Sequence, residues 1–454
     1  HCISSAASDV YKRQVLVYII HFDHSRTSTM KIAVEGCGHG CLNKIYQAIN
    51  EQKVELLIMC GDFQSVRNAA DMQCLSVPPK YRRMGDFRDY YTGKKRAPVF
   101  TIFIGGNHEA SNYLDELKYG GFVAPNIYYL GRTGSIWYKG LRIVGWSGIY
   151  NGGDFMKLRP ESNIEYDDRR IVRSMYHYRK DDYLKMRFLK QCNKSILLSH
   201  DWPNKITEYG DTKLLLRRKP FFKKDIQHGE LGSPANQELL DHLKPLYYFA
   251  AHLHVVYRAK IDWNKKRYSD GNDSSSRRVK TDLKAKNINE IELDISDLEM
   301  ENGLSAIEKS EPRTQESLSP TNFLALDKCL SGRQYVEVLN VPLTNSKHPS
   351  TQHSNPDLYL DPEYIAVMKS VNKHYKDWEG LNYEQILKPS KDFEDLVEAD
   401  TVQMLKIFDE LDSDEYDRLF AINEHSFVQT ADPKTSIVQE YQNPQTEIFK
   451  ERFS

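Results

Sequence analysis

Residues 31–40 read KIAVEGCGHG, an apolar run that leads directly into small residues and metal-ligand side chains. The run at 31–35 is predicted to be a β-strand. An amphipathic helix is predicted next, because apolar residues recur at helical spacing, namely at Leu42, Ile45, Tyr46 and Ile49. A strand, a glycine-rich turn and a helix in this order are typical of a layered α/β domain.

The same pattern recurs along the chain. Further strands are predicted from apolar runs at residues 54–60, 99–104, 141–146, 195–199 and 246–250. The first of these is apolar enough to be buried on both faces. The sequence therefore predicts an α/β fold, a layered β-sheet sandwich flanked by helices, with a C-terminal, mostly helical extension.

The C-terminal extension shows two apolar stripes at helical spacing, which we interpret as packing against the main domain. Asp361 and Pro362 predict the N-cap and first turn of one helix. The first stripe contains Tyr364, Met368, Val371 and Tyr375. The second stripe contains Val402, Leu405, Phe408 and Leu411.

Five separated motifs carry potential metal ligands, and each follows an apolar strand. They lie at residues 36–40, 61–62, 105–109, 199–201 and 251–254. Open α/β sheets place their sites just beyond the carboxyl ends of their strands. A lone His-x-His or Gly-Asp is more often structural than functional. Five such motifs in order, each at a strand end, indicate a site for two metal ions that share a carboxylate.

These motifs resemble the calcineurin-like metallophosphoesterases, whose pattern is Asp-x-His, Gly-Asp, Gly-Asn-His-Asp/Glu, His and Gly-His-x-His. The chain departs from it at Cys37, where most members have Asp, and at Ala251, where they have Gly. Both departures are similar to the RNA lariat debranching enzymes, a branch of that superfamily. Further segments that resemble this branch are residues 61–65, 119–131, 147–150, 199–203, 231–234 and 323–329.

The resemblance implies the roles of individual residues. One metal position would use Cys37, His39, Asp62 and His254. The other would use Asp62, Asn107, His200 and His252, so that Asp62 bridges the two. His108 would donate a proton to the leaving oxygen, and Glu109 would orient His108 from behind.

The resemblance also implies cofactors and a reaction. Two divalent metal ions are expected, with Fe(II), Zn or Mn as the candidates. Cys37 is a soft donor that favours Fe(II) or Zn, so the pair could be mixed, or only the second position well occupied. The implied reaction is hydrolysis of the 2′–5′ phosphodiester at the branch point of an excised intron lariat. Its product is linear RNA for turnover in mRNA processing.

A loop near residues 148–187 would recognise the lariat, because the family uses a loop in this region. Basic side chains would neutralise phosphates and tyrosines would stack on bases. The candidate contacts are Arg169, Arg173, Tyr176, His177 and Arg179. The alternative is a solvated helix at 169–190. The basic runs at 217–219 and 265–267 are interpreted as solvated surface.

Composition limits the partners. The net charge of −1 means that contact with nucleic acid must come from a local basic patch. No run of about 18 apolar residues occurs, so no membrane partner is expected, and neither is DNA. Seven cysteines without a spaced framework indicate a reducing compartment. We expect a nuclear protein that can shuttle to the cytoplasm, with residues 277–280 as an import candidate and RNA-processing proteins as possible partners.

Shifts in composition predict the domain boundaries. The predicted order is a non-native or disordered extension at 1–29, the catalytic domain at 30–260, a disordered insertion at 261–320, strands completing that domain at 321–342, and a helical domain at 343–454. Met30 is the expected natural start, and a targeting extension before it is the alternative. The insertion is rich in Ser, Asn, Asp, Lys and Glu, too polar to offset the entropy of ordering.

Two other functions stay open at this point. One is a different phosphoesterase with two metals, such as a general nuclease or a phosphoprotein phosphatase. Activity on linear RNA or phosphopeptides, without activity on branched RNA, would favour it. The other is a non-catalytic scaffold with the same fold, which degenerate ligand positions would indicate, whereas every ligand position is filled here.

Overall fold

The computed structural model describes residues 28–160, 164–166, 168–264 and 318–453. One compact unit contains the described residues up to Asp262 and from Ser319 onward, and Trp263–Leu318 form a second unit. The basic run at 265–267 and the import candidate at 277–280 lie outside the described residues, as do most of the predicted extension and insertion. The predicted domain boundaries stay predictions.

The described strands form two sheets. The strands are β1 Thr29–Glu35, β2 Leu56–Met59, β3 Thr101–Phe103, β4 Gly121–Ala124, β5 Ile127–Tyr129, β6 Thr133–Tyr138, β7 Leu141–Trp146, β8 Ile196–Ser199, β9 Tyr247–Ala250, β10 Tyr257–Ile261, β11 Thr321–Ala325, β12 Val336–Pro342 and β13 Leu358–Leu360. In the first sheet the strand order is β12-β1-β2-β3-β5-β4, and in the second it is β10-β11-β9-β8-β7-β6-β13.

Helices connect these strands and make up most of the C-terminal region. Those that precede the C-terminal region are α1 Leu42–Ile49, α2 Ala69–Gln73, α3 Phe87–Tyr91, α4 Ser111–Glu116, α5 Gly152–Phe155, α6 Arg169–Met175, α7 Lys180–Arg187, α8 Thr212–Arg218, α9 Phe222–His228 and α10 Pro234–Leu243. Those in the C-terminal region are α11 Pro362–Lys373, α12 Tyr375–Trp378, α13 Tyr383–Leu387, α14 Lys391–Asp409, α15 Ser413–Phe420 and α16 Pro444–Phe453.

The two sheets pack face to face, which confirms the predicted layered α/β sandwich. Alternate residues of a strand point to opposite faces, and in β1 the side chains of Ile32 and Val34 enter the core shared with the second sheet. Ala33, between them, faces α1 on the other side. Ile143 of β7 and Phe249 of β9 enter the shared core from the second sheet.

Parallel pairing places the carboxyl ends of the key strands at common edges. In the first sheet β1, β2 and β3 are parallel neighbours, and in the second β7, β8 and β9 are parallel neighbours. Each motif with potential metal ligands follows one of these strands. The sandwich therefore gathers loops from both sheets.

The predicted strand at 141–146 coincides with β7, and the predicted strand at 31–35 begins two residues earlier, as β1. The runs at 54–60, 99–104, 195–199 and 246–250 form shorter strands than predicted. The run at 54–60 is a strand only over β2, every residue of which is buried, as predicted. Sequence analysis missed β4, β5, β6, β10 and β13. The short strands β4 and β5 pair through a β-bulge, which breaks the alternation that would have revealed them.

The C-terminal region is mostly helical, as predicted. The Asp361 side chain accepts a hydrogen bond from the Glu363 N–H and so caps α11. Arg142 of β7 donates to the same carboxylate through its Nε, at 2.7 Å, which ties the second sheet to this helix. None of the described helices combines the length and apolar composition of a membrane span.

The two apolar stripes pack less fully than predicted. Tyr364, Met368 and Val371 are buried, but α11 ends at Lys373, so Tyr375 starts a separate short helix and is exposed. In α14 the buried residues are Phe393, Val397 and Thr401, in its first half. The predicted second stripe continues beyond them and is only half-buried.

His348 provides a test of this packing. Its ring stacks on Trp137 with centroids 4.3 Å apart, and burial lowers its pKa to about 4. Since an unfolded histidine titrates near 6.5, the neutral ring stabilises the fold above that pH. The stability should fall by roughly 2–3 kcal/mol as the pH drops from about 6.5 to 4.

We therefore expect the His348→Gln variant to lose less stability than the parent between pH 7 and 4.5. Urea unfolding at several pH values measures this. The matched control is His353→Gln at an exposed position, which should follow the parent. Equal pH dependence in the parent and the His348 variant would contradict the expectation.

Candidate metal centre

Four predicted ligands lie together at the carboxyl edge of the sandwich. One potential ligand atom each from Cys37, His39, Asp62 and His254 lies within 4.8 Å of all the others. These residues follow β1, β2 and β9, so both sheets contribute. A thiol, two imidazoles and a carboxylate form a donor set that fits Fe(II) or Zn.

The two imidazoles of this cluster face each other. His39 Nε2 lies 3.2 Å from His254 Nε2. Burial lowers the pKa of His39, and burial followed by the nearby His39 lowers the pKa of His254 to about 3. Burial therefore favours the neutral form of both rings, and a neutral imidazole that carries its proton on Nδ1 can offer Nε2 to a shared cation.

A second group of predicted ligands surrounds His200. Its Nδ1 donates to the Cys60 carbonyl at 2.7 Å, which directs Nε2 into the site as the nitrogen that a cation would bind. Burial lowers the pKa of His200, but Asp62 raises it by more. This Nε2 lies 3.3 Å from Asn107 Oδ1, and the His252 ring centroid is 5.0 Å from that of His200. An amide oxygen and two imidazoles form a second possible donor set.

Asp62 joins the two groups. Its Oδ2 lies 3.7 Å from His39 Nε2, and its Oδ1 lies 3.4 Å from His200 Nε2. Burial by itself would raise the pKa of Asp62, but His200, His39 and His108 together hold it well below the usual value. Asp62 is therefore an ionised carboxylate with one oxygen toward each group, the arrangement expected of a bridging ligand.

The backbone at this edge is strained. His39, Asp62, His252 and His254 all have positive φ angles, between 45° and 60°. Non-glycine residues rarely adopt this left-handed conformation, and the cost is about 1–3 kcal/mol each. Such a concentration of strained residues is typical of functional sites.

Two glycines are required by the close approach of site residues. A Cβ at Gly61 would lie 2.3 Å from His200 Nδ1, and a Cβ at Gly106 would lie 2.3 Å from Asp62 Oδ1. Both contacts are shorter than any real side chain tolerates. The glycines of the second and third motifs therefore serve packing around Asp62 and His200.

Cys37 is fully buried. Its Sγ accepts the His252 backbone N–H at 3.3 Å, which links the first and last motifs. Burial, followed by Asp62 and Glu35, raises the pKa of Cys37 well above its usual value. A bound cation is what would make the thiolate favourable here.

His108 lies at the open side of the site. Its backbone N–H donates to Asp62 Oδ1 at 2.8 Å, and its Nδ1 lies 3.8 Å from Asp62 Oδ2. One third of its side chain is exposed to solvent. A substrate at Asp62 could therefore reach this imidazole.

Glu109 has a different role from the one predicted. Its two oxygens accept backbone N–H groups from Phe63 at 2.7 Å, Gln64 at 2.8 Å and Gly106 at 3.1 Å, not a proton of the His108 ring. Burial, followed by Asp62, raises its pKa to about 8, although the three N–H groups oppose this. Glu109 fastens the loop after Asp62 to the loop that carries Asn107.

Sequence analysis did not identify Glu35 as a residue near the metal centre. This residue ends β1 and is fully buried, and its oxygens have no hydrogen-bond partner among the described residues. Burial, followed by Cys41 and Asp62, raises its pKa well above the usual value. A single glutamate in an apolar strand was the available signal.

The predicted RNA contacts divide into two groups. Arg169 and Arg173 are exposed on α6 and line a cavity of about 610 Å³ together with Arg82 and Tyr166. Tyr176 connects this region to the metal loops, because its hydroxyl lies 3.2 Å from Ser76 Oγ and its side chain lines a small cavity beside Glu109. These positions are compatible with contact to a substrate.

The structure does not support Arg179 as an RNA contact. Its guanidinium is buried and donates to the carbonyls of Asp154 at 2.6 Å and Ser174 at 2.7 Å. His177 is mostly buried as well, with its Nδ1 2.7 Å from Asp154 Oδ2. The basic residues of this segment therefore fall into two groups. Arg169 and Arg173 face the cavity, whereas Arg179 and His177 hold the loop together.

Two family models match the chain. The calcineurin-like phosphoesterase model matches residues 30–256. The model for the C-terminal domain of lariat debranching enzymes matches residues 319–454. Together they cover the first sheet, the second sheet except β10, and the helical C-terminal region.

Individual relatives agree with the family models. The chain is 40% identical to the lariat debranching enzyme of Saccharomyces cerevisiae, over 80% of this chain and 90% of the relative. It is 39% identical to that of Schizosaccharomyces pombe, over 93% and 95%. It is 42% identical to that of Homo sapiens, over 76% of this chain but 54% of the longer human protein.

The Glu109→Gln variant tests how far the site depends on its backbone support. An amide nitrogen cannot accept an N–H, so at least one of the three loop contacts is lost. We expect metal affinity to fall about 10–100-fold, measured by competition with a chromophoric chelator. Glu51→Gln, on an exposed turn, is the control, and an unchanged affinity for the Glu109 variant would refute the supporting role.

Proposed function

The chain belongs to the family of lariat debranching enzymes, and we propose that its two groups of ligands hold a pair of divalent ions for that reaction. The protein is a metal-dependent phosphodiesterase that hydrolyses the 2′–5′ bond at the branch point of an intron lariat. The observation that carries the proposed site is Asp62, whose oxygens face His39 on one side and His200 on the other.

The proposed ligand sets follow from these contacts. Cys37, His39, Asp62 and His254 would hold one ion. Asp62, Asn107, His200 and His252 would hold the other. The thiol of Cys37 favours Fe(II) or Zn in the first position, and Mn remains a candidate for the second.

The residues around the ions would guide the chemistry. When bound, the ions neutralise phosphate charge and supply an activated water. Glu109 keeps the loops of Asp62 and Asn107 in register through its three N–H contacts. His108, held to Asp62 by its backbone N–H, would give a proton to the departing 2′ oxygen. Water supplies the hydroxyl that the phosphate gains, and the products are a 5′ phosphate and a free 2′-hydroxyl.

The substrate would also contact the cavity beside α6. Arg169 and Arg173 present unburied guanidiniums there, and Tyr176 lies between the cavity and the metal loops. Guanidinium groups pair with phosphates and aromatic rings stack on splayed bases. We propose that this cavity receives nucleotides next to the branch.

We also propose that the protein acts in the nucleus, with a cytoplasmic fraction, beside other RNA-processing proteins. The support is the substrate itself, since intron lariats are products of splicing. Imaging of a fluorescent fusion tests this, and strictly cytoplasmic signal would contradict it.

The central test compares a 2′–5′ branched RNA with its linear counterpart. We expect the metal-loaded protein to cleave only at the branch, because the linear RNA lacks the 2′–5′ bond. Removal of the metals with a chelator should abolish cleavage, and adding Fe(II), Zn or Mn should restore it. Cleavage of both RNAs at similar rates would instead indicate a general nuclease.

The role of His108 has its own test. The His108→Ala variant should lose roughly 10²–10⁴-fold in turnover, because the proposed proton donor for the leaving oxygen is removed, while its metal content stays normal. Single-turnover cleavage and elemental analysis measure the two effects. His228→Ala, at an exposed position outside the site, is the control. A normal rate for the His108 variant would exclude the proton-donor role.

A further inference from the structure

One surface segment next to the metal centre concentrates positive charge. Between Thr212 and Lys224, across α8 and the start of α9, there are six basic side chains and no acidic one. We call them the basic patch, defined as Lys213, Arg217, Arg218, Lys219, Lys223 and Lys224. On a chain with a net charge of −1, this local excess is distinctive.

Among the described residues, the cations of the basic patch form no ion pairs, and all but Lys219 are exposed. Burial lowers the pKa of Lys219, and the charge of Asp327 opposes this. Other surface cations do pair, as Arg170 does with Asp168 and Lys373 with Asp400. Like charges held close together repel one another, so an anionic partner would stabilise this arrangement.

An exposed aromatic ring lies within the basic patch. The side chain of Phe221 is 67% exposed, whereas Phe222 beside it is buried and anchors the turn. Lys219 Nζ lies 5.7 Å from the Phe221 ring centroid. An accessible ring flanked by cations is the combination that binds single-stranded nucleic acid, in which bases stack and phosphates pair.

The basic patch begins beside the strands that lead to the metal centre. Gly210, two residues before α8, bridges Ala259 of β10. β10 pairs with β11, and the chain that follows β11 reaches Lys328, which bridges Cys37. The start of the basic patch therefore lies against the edge strand of the sheet whose next loop contacts a potential metal ligand.

We propose that the basic patch and Phe221 bind a single-stranded RNA arm as it leaves the branch point. Sequence analysis interpreted residues 217–219 as solvated surface, and the proposal gives this surface a ligand. The proposal rests on the proposed debranching function and adds a second RNA surface to the cavity beside α6. An acidic protein segment would fit the charge, but RNA also accounts for the exposed ring and the position next to the metal centre.

The experiment compares two branched RNAs that carry a non-hydrolysable 2′–5′ linkage. One has arms of one or two nucleotides, and the other has long single-stranded arms. The variants are Lys223→Gln/Lys224→Gln and Phe221→Ala. The control is Lys53→Gln/Lys347→Gln. Both lysines are exposed. Lys53 precedes β2, and Lys347 follows β12, whose last residue pairs with the first residue of β1, so both lie toward the edge of the first sheet opposite the site.

For the long-armed RNA we expect the lysine variant to bind about tenfold more weakly at low salt. The slope of log affinity against log salt should fall by about 1.4, since each phosphate contact on a single strand contributes about 0.7. Phe221→Ala should weaken binding about tenfold through lost stacking, with the salt slope unchanged. Both variants should bind the short-armed RNA as tightly as the parent protein does. They should also cleave the hydrolysable form of this RNA at the parental rate.

If the lysine variant binds the long-armed RNA with the affinity and salt slope of the parent protein, the proposal is overturned. A protein partner for the basic patch would then be favoured. Equal losses with long and short arms would also overturn it, because the basic patch would then act at the branch itself. Failure of the parent protein to cleave the short branched RNA would instead refute the debranching function. The two proposals therefore fail in different measurements.

Discussion

The buried charge of Asp62 is the interaction on which this edge of the molecule depends. An isolated carboxylate removed from water is costly, yet Asp62 is ionised because His200, His39 and His108 surround it. Its two oxygens face ligands that come from different sheets. Packing of the sheets and assembly of the metal centre are therefore one event, and misplacing either sheet would leave this charge uncompensated.

Most of the contacts that hold Asp62 and its loop in place are made by backbone N–H groups. Glu109 binds three N–H groups from two loops, and the His108 N–H binds Asp62 itself. Four ligand-bearing residues accept left-handed backbone angles, and Gly61 and Gly106 leave room for them. The loops thus hold the site in place before the ions bind, which lowers the free energy that ion binding must provide to order it.

Sequence patterns predicted the class of fold and β7, because apolar runs are local properties, and they singled out four side chains that the fold brings together. They did not predict the contacts of Glu109, whose partners lie partly on another loop. They also grouped Arg179 with Arg169 as RNA contacts. Only tertiary contacts separate Arg179, buried against carbonyl groups, from Arg169, which faces a cavity. The short strands β4 and β5 were missed because a bulge interrupts their pairing.

The pairing of β10 with β11 has an evolutionary consequence. Ile261 and Thr321 are direct partners across these antiparallel strands, so the chain leaves and re-enters the sheet at neighbouring points. Closing a loop costs only about 0.6 kcal/mol more for each doubling of its length. The stretch between these two residues can therefore lengthen or shorten among descendants with little effect on the sheet, which leaves it open to species-specific additions.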